Sequence, residues 1–424
     1  MNEKNNIKKL KENENEYINK NEKEKERIKI LILDIKKNKL FKKKKVNLNI
    51  LNYKIGVLNN KKNDFLSSYP LLTYSLKRIF YAIITLYIAI AVLYALLNIV
   101  ASDSIYIGDI DLNKNNIIYG SEQYYNLIEN RKKLLGVDGS LLSQIIIYLR
   151  NITPFIPKEI LTDAHYESDG SITGTMVTKL FYLGITFTDS GGFAKGTFVQ
   201  TILSNNMPVS FQLGAIATVI SFFIGIPIGI YAAINKENVK DNFITWFCLI
   251  MFALPALVIV RLFFQFSIYY LGAGSLWTDS TLYTKIFPVL LLVLLGTPAI
   301  IFETRRYIVN EMSADYTKFA LSKGMTNRYV FFVHIFRIAG IAIIRSIPAA
   351  LIANLFGASL LVEQSWSVLG MANTTVSAIS QTDLFLILGI VLVSASISLL
   401  LSLISDLLMA LLDPRVKLME KKKG

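Results

Sequence analysis

Few side chains in this sequence could do chemistry, and where they stand limits what that chemistry can be. There are two histidines, His165 and His334, and one cysteine, Cys248. A zinc site takes about four such ligands at short fixed spacing, so a metal centre has little to draw on and no cofactor is expected. The sequence contains no Gly-x-Ser-x-Gly elbow, no His-Glu-x-x-His pair and no Gly-x4-Gly-Lys-Ser/Thr phosphate loop. What remains are charges inside apolar runs, which hydrocarbon disfavours unless they are paired or face water. These are Arg261, Arg345 and Asp406. Arg261 lies about 27 Å into its run at 1.5 Å per residue, in an outer half where it can snorkel. Arg345 is eight residues past Arg337 and Asp406 eight before Pro414. Each is therefore about 12 Å from the same side, a spacing that would let them pair across a bundle.

A second candidate lies between two apolar runs. Residues 303–337 contain Glu311-Met312-Ser313-Ala314-Asp315-Tyr316-Thr317-Lys318-Phe319-Ala320-Leu321-Ser322-Lys323-Gly324 and then Met325-Thr326-Asn327-Arg328. Ser313 is a candidate N-cap and Gly324 a candidate C′ stop. Between them Tyr316, Phe319 and Ala320 recur at i, i+3 and i+4, the spacing of one helix face. A second helix is predicted to start near Asn327. An apolar stripe on a short exposed helix has to be covered, either by its own bundle or by a partner. Residue pattern alone leaves both readings open.

The elements that must position these residues are membrane spans. Of the 424 residues 53% are hydrophobic and the mean hydropathy is +0.44. The apolar residues sit in long runs with the charge between them. Runs near 79–100, 208–234, 243–271, 286–302, 338–362 and 384–412 predict an all-α integral membrane protein with about six transmembrane helices. Lys236 and Lys240, the cluster from Arg305 to Arg337, and Arg415 with Lys421–Lys423 should lie inside. The stretches 272–284 and 363–383 carry no Lys or Arg and should lie outside. Both termini are then expected in the cytoplasm, and residues 101–207 form a long extracellular segment. Leu141–Leu149 reads there as a short amphipathic helix. Within the second run, Gly225-Ile226-Pro227-Ile228-Gly229 fits close helix packing with a proline kink, or a hinge that gates a pore. His334 reads as a structural residue at the inner interface.

The net charge of +14 does not point to nucleic acid, because lysine is concentrated before residue 78 and in the short polar connections. Residues 1–75 are a Lys/Asn-rich low-complexity extension, expected to be cytoplasmic and largely disordered. Its run Lys42-Lys43-Lys44-Lys45 could touch anionic lipid, and Ile28–Ile35 could form a short helix. The first long apolar run starts only near Ile79, which is unlike an ordinary signal peptide. The organised part is 76–418, with a basic tail at 419–424.

The 311–328 segment resembles the loop of ABC importer permeases, in the form found in oligopeptide and dipeptide permeases. Asp315, Tyr316, Ala320, Lys323 and Gly324 match that motif, with Lys318 where the family has Arg. His334 and Arg337 continue the likeness. So do Phe356-Gly357, Val362-Glu363, Gly370, Ala378-Ile379, Asp383 and Gly389. Pro208, Gly225, Pro227, Gly229, Asp241 and Pro255 fit upstream, and Asp406 to Arg415 is similar to the family's ending. The first span followed by a long outer segment, with Leu183-Gly184 and Phe187, resembles the B-type rather than the C-type subunit. Ala342 replaces a usual Pro, and Val368-Leu369-Gly370 stands where the family has Trp-Pro-Gly.

The resemblance covers about residues 75–418 and implies a type I ABC importer permease fold in a bacterial plasma (inner) membrane. It implies a non-enzymatic transport subunit forming half of a translocation pathway. It implies that Asp315, Tyr316, Lys318, Phe319, Ala320, Lys323, Gly324 and Arg328 couple to a separate ATPase, and that Gly225, Pro227, Gly229, Arg345 and Asp406 belong to the moving bundle. The implied partners are a C-type permease subunit, two ATP-binding subunits, an extracellular substrate-binding lipoprotein, the lipid bilayer and a peptide substrate. Competing expectations are a permease for another solute, such as nickel, and a membrane-embedded enzyme. The second lacks the carboxylate pair or nucleophile it would need.

Overall fold

The computed structural model describes residues 70–100, 103–107, 110–113, 117–166, 172–277 and 281–412, with scattered positions between 22 and 37. The chain falls into two units, Met1–Tyr74 and Ser75–Gly424. In the first, the described positions between 22 and 37 are helical, and Ile30, Leu31 and Leu33 are exposed. The lysine run at 42–45, the Asp413-Pro414-Arg415 ending and the 419–424 tail lie outside the described residues.

Helices dominate. They are α1 (Pro70–Val100), α2 (Glu122–Leu135), α3 (Leu141–Ile152), α4 (Val199–Ile234), α5 (Val239–Ala253), α6 (Ala256–Tyr269), α7 (Leu282–Met312), α8 (Asp315–Ser322), α9 (Asn327–Ser365), α10 (Met371–Ser380) and α11 (Leu384–Leu412). One antiparallel hairpin, β1 (Lys158–Tyr166) with β2 (Ile172–Lys179), lies between α3 and α4. Among the described residues, five helices are long and apolar enough to cross a membrane, namely α1, α4, α7, α9 and α11. The pair α5 and α6 passes the same test jointly, which brings the number to six if the pair is one span.

That pair corrects the straight run expected over 243–271, because the two helices meet at a bend of 100°. The cause is Pro255. Its ring forces the preceding residue out of the helical region, and Leu254 is extended at φ −77°, ψ 133°. Arg261 is therefore not 27 Å along one span axis. It is exposed on α6, with its guanidinium 5.7 Å from the Phe264 ring centroid. The other spans run past their apolar runs. α7 continues through Arg305 and Arg306 to Met312, because Glu, Arg and Asn flanks are as helix-compatible as the apolar stretch.

Lipid tails are as apolar as leucine, so helices in a membrane associate by close packing and polar links. Both are present. The most extensive helix contact is between α4 and α7. A Cβ on Gly225 would stand 2.8 Å from Ile300 Cγ2, and one on Gly229 2.7 Å from Thr304 Cβ and 2.8 Å from the Ile301 carbonyl oxygen. This Gly-x3-Gly spacing puts both glycines on the contact face. The neighbouring link joins α4 to a π-helical turn of α9, where Asn354 Nδ2 donates to Thr218 Oγ1 at 2.8 Å. Asp241, 1% exposed at the start of α5, receives a bidentate Arg305 from α7, both contacts at 2.6 Å. Such a fork fixes orientation as well as distance.

The segment before α4 is organised. α2 and α3 carry serine N-caps, Ser121 accepting from the Tyr124 amide and Ser140 from the Ser143 amide. α3 extends the expected Leu141–Leu149 helix to Ile152. Tyr148, Phe187 and Phe385 stack into one cluster with Ile90 and Tyr94 of α1 and with Val199 and Ile202 of α4.

Candidate functional site

The loop between α7 and α9 is a helix held by one face. α7 ends at Ser313, whose Oγ donates back to the Val309 carbonyl at 3.0 Å. Ser313 thus closes α7, and the expectation that it caps the next helix is corrected. The residue at that N-cap is Ala314, extended at φ −68°, ψ 148°, with no side-chain cap. Anchorage comes from the preceding turn. Thr317 Oγ1 donates to the Glu311 carbonyl at 2.8 Å, and the Tyr316 hydroxyl donates to the Glu311 carboxylate. Asp315 sits in the first turn, where a negative charge suits the helix dipole.

Gly324 ends α8 as expected. It has φ +82°, its N–H donates to Leu321 O at 3.0 Å, and the Met325 N–H donates to Ala320 O at 3.4 Å. This is a left-handed glycine cap with both of its characteristic backbone bonds. Thr326 then opens α9 by accepting from the Tyr329 amide. Helix, glycine turn and second helix stand where the sequence predicts them.

The stripe of α8 divides between inside and outside. Thr317 and Ala320 are buried, Ala320 in a cluster with Ala233, Ile308, Val330, Ile335 and Ala339. Tyr316 is half-buried, but Phe319 is 60% exposed. Phe319 and Ala320 are about 100° apart around the axis, so a contact centred on Ala320 leaves Phe319 at its margin. The Lys323 ammonium lies 4.5 Å from the Phe319 ring centroid. Leu321, Met325, Tyr329 and Phe332 are also exposed. Lys318 and Asp315 form an exposed pair at 3.3 Å, and Arg328 is exposed.

Of the bundle candidates, Gly225, Pro227 and Gly229 lie on the α4 stretch that packs against α7. The expected Arg345–Asp406 pairing is corrected. Asp406 forms its ion pair with Arg78 of α1, and Arg78 also donates to Ser402 Oγ at 3.0 Å. Arg345 is exposed, and its contact with that part of α11 is through its carbonyl, which accepts from Ser405 Oγ at 2.9 Å. Equal depth along two helices does not fix which faces meet, and α1 brings its own cation to Asp406.

Two buried carboxylates matched the motif without suggesting a role. Asp383 is fully buried. Its Oδ2 accepts from Thr186 Oγ1 (2.6 Å), the Phe187 amide (2.7 Å), and the amide and hydroxyl of Thr188 (3.2 and 3.1 Å). Its Oδ1 accepts from the Leu386 amide at 3.2 Å. Glu363 Oε2 accepts from the Ala372 and Asn373 amides, at 3.0 and 3.1 Å, at the start of α10. A carboxylate at the edge of an apolar run was the available signal, but apart from the Leu386 amide the donors are 9 to 197 residues away.

The family model described as the binding-protein-dependent transport system inner membrane component matches residues 225–418. That match covers a little under half of the chain, and over this stretch the chain is similar to that family; its long apolar helices make it a multi-pass membrane protein. Several of the curated proteins it is similar to are named as peptide permeases. It is 31% identical over 216 residues to the oligopeptide transport system permease protein AmiC of Streptococcus pneumoniae, covering 49% of this chain and 42% of that one. It is 28% identical over 265 residues to the dipeptide transport system permease protein DppB of Bacillus subtilis, covering 61% and 84%. The chain thus spans less than half the length of the pneumococcal relative. Among solved structures, an inward-facing form of the MetNI methionine ABC transporter aligns with 50% of this chain and 97% of that chain, at TM-score 0.43 and 11% identity.

Proposed function

We propose that the chain is one of two permease subunits of an ATP-driven importer of oligopeptides or dipeptides, and that α8 is the element a separate ATPase grips. The observation that carries this reading is the division of α8. One face is locked to its own bundle by Thr317, Ala320 and the Gly324 cap, while Phe319 and the adjoining Met325, Tyr329 and Phe332 are left bare. A helix fastened on one side and apolar on the other can transmit a push from a partner to α4, α7 and α9, which share its cluster. The relatives named for oligopeptide and dipeptide transport support the peptide substrate. A second subunit would complete the pathway, and an extracellular binding protein would deliver substrate. The positive-inside pattern supports α8 and both termini on the cytoplasmic side.

The test is co-purification of the tagged chain from its native membrane, wild type against Gly324→Asp, read as associated ATPase. Wild type is expected to bring down an ATPase that the variant loses or no longer couples to peptide. A wild-type chain that captures no ATPase would sink the coupling role of α8.

A further inference from the structure

The segment between α1 and α4 does not stand wholly beyond the ends of the spans. α3 runs antiparallel alongside α1. At its start, Gln144 Oε1 accepts from Asn98 Nδ2 and Tyr94 Oη, at 2.9 and 3.3 Å. Midway, Tyr148 packs on Tyr94, and just past its end the hydroxyls of Thr153 and Tyr87 are 2.8 Å apart. Tyr87 lies in the middle of the 28-residue span Thr73–Val100. That span is about 42 Å long, against about 30 Å of hydrocarbon. Wherever the hydrocarbon is placed along it, Tyr87 lies roughly 7–20 Å below the boundary on the Val100 side.

Thr153 opens the loop Thr153-Pro154-Phe155-Ile156-Pro157, so this loop starts at hydrocarbon depth. Its surface suits that place. Phe155 is 85% exposed, at φ +73°, a conformation that bulky residues rarely adopt. Ile156, Leu180 and Phe181 are exposed beside it. They belong to one patch because Lys158 donates to the carbonyls of both Thr153 and Leu180, and the Tyr182 amide donates to Asn151 O at 3.1 Å.

Three features reduce the number of backbone groups that hydrocarbon would leave unpaired. Pro154 and Pro157 have no N–H to pair, and the buried Lys158 ammonium serves two carbonyls that water would otherwise hydrate. Burial, and then the Arg150 charge beside it, hold the Lys158 pKa below the usual lysine range. At the same level α1 presents Ile84, Ile88 and Val92 outward, so the patch continues a lipid-facing surface.

We propose that residues 153–157, with Leu180 and Phe181, insert among the acyl chains of the outer leaflet and hold the extracellular segment against the membrane as a wedge beside α1. The choice of leaflet rests on the orientation proposed above; the insertion itself does not depend on ATPase coupling. A protein approaching from water would not reach this depth, which favours lipid over a docked binding protein.

The test uses the full chain in phosphatidylethanolamine/phosphatidylglycerol vesicles with Cys248→Ser as background. Single cysteines are placed by Phe155→Cys, Leu180→Cys and, in the hairpin, Thr173→Cys. Positions 155 and 180 are expected to react with a membrane-impermeant maleimide at least about tenfold more slowly than 173, since hydrocarbon excludes the aqueous reagent. An environment-sensitive fluorophore attached at either position should be quenched by doxyl-labelled acyl chains, and one at 173 should not. If Phe155→Cys does not fold, Leu180→Cys carries the test. Equal labelling rates without doxyl quenching would overturn the proposal. So would protection that appears only when a second permease subunit or a binding protein is added. ATPase capture, measured on the same variants, separates this failure from failure of the importer reading.

Discussion

Where the chain passes between α9, α10 and α11 and into α4, its connections are fastened by buried carboxylates. Asp383 gathers five donors, Glu363 receives the first amides of α10, and Asn206 Nδ2 bridges Gly191 O and Thr374 Oγ1 at 2.9 and 2.8 Å. At the other end, between α7 and α9, the fastening is apolar residues around Ala320 and two hydroxyls, of Tyr316 and Thr317, while Phe319 and Leu321 are left exposed. A buried carboxylate with several donors is intolerant of displacement, because each donor it releases is left unpaired. An apolar contact around Ala320 can slide at lower cost. The first end is built to keep its shape; the second suits the gripping and movement proposed for α8.

The largest expected effect breaks the first side of that contrast. Asp383→Ala removes the shared acceptor of two threonine hydroxyls and three amides, leaves the Phe187 and Leu386 amides without it in a buried site, and should destabilise the protein by about 3–5 kcal/mol. The check is the unfolding midpoint of the purified protein. A midpoint unchanged from wild type would mean that the clamp is decorative and that the two ends do not differ in stiffness.

An intermediate effect is expected from the ion pair between α1 and α11. Removing the carboxylate by Asp406→Ala leaves Arg78 in an apolar cleft lined by Ile79, Ile83, Leu86, Leu399 and Leu403, and should cost about 1–3 kcal/mol. The combined reversal Arg78→Asp with Asp406→Arg should recover most of the loss. Arg345→Asp with Asp406→Arg should not. Equal rescue by both combinations would show that depth, not the facing of α1 and α11, selects the partner.

That contrast also marks what the sequence could and could not say. Spans are legible because hydrocarbon leaves a run of apolar residues, and α8 because Gly324 and a repeat at i, i+3 and i+4 are local signals. The break at Leu254–Pro255 is hidden, because a hydropathy run continues through a change of backbone direction and only the proline hints at it. Asp406 could be placed in depth but not in azimuth, so its partner on α1 was out of reach. Four of the five donors of Asp383 lie nearly two hundred residues upstream, in a segment whose fold follows from no periodic pattern. Local rules recover what local spacing encodes. Polar clamps are encoded by tertiary contact.

The smallest effect on stability is expected where the second side of the contrast is sharpest. Phe319 is 60% exposed, and its aromatic ring has the Lys323 ammonium 4.5 Å away. Phe319→Ser should therefore change the free energy of unfolding by no more than about 0.5 kcal/mol, the usual range for an exposed site. Capture of the ATPase should nevertheless fall sharply, because an apolar anchor at the centre of a docking face carries a large share of its affinity. Ala320→Leu reads the other face. Overpacking against Ile308 and Val330 should cost about 1–3 kcal/mol and weaken capture only as far as α8 is displaced. If Phe319→Ser instead lowers stability as much as Ala320→Leu and leaves capture intact, Phe319 belongs to the bundle's own packing. The gripped face of α8 must then lie elsewhere on the helix.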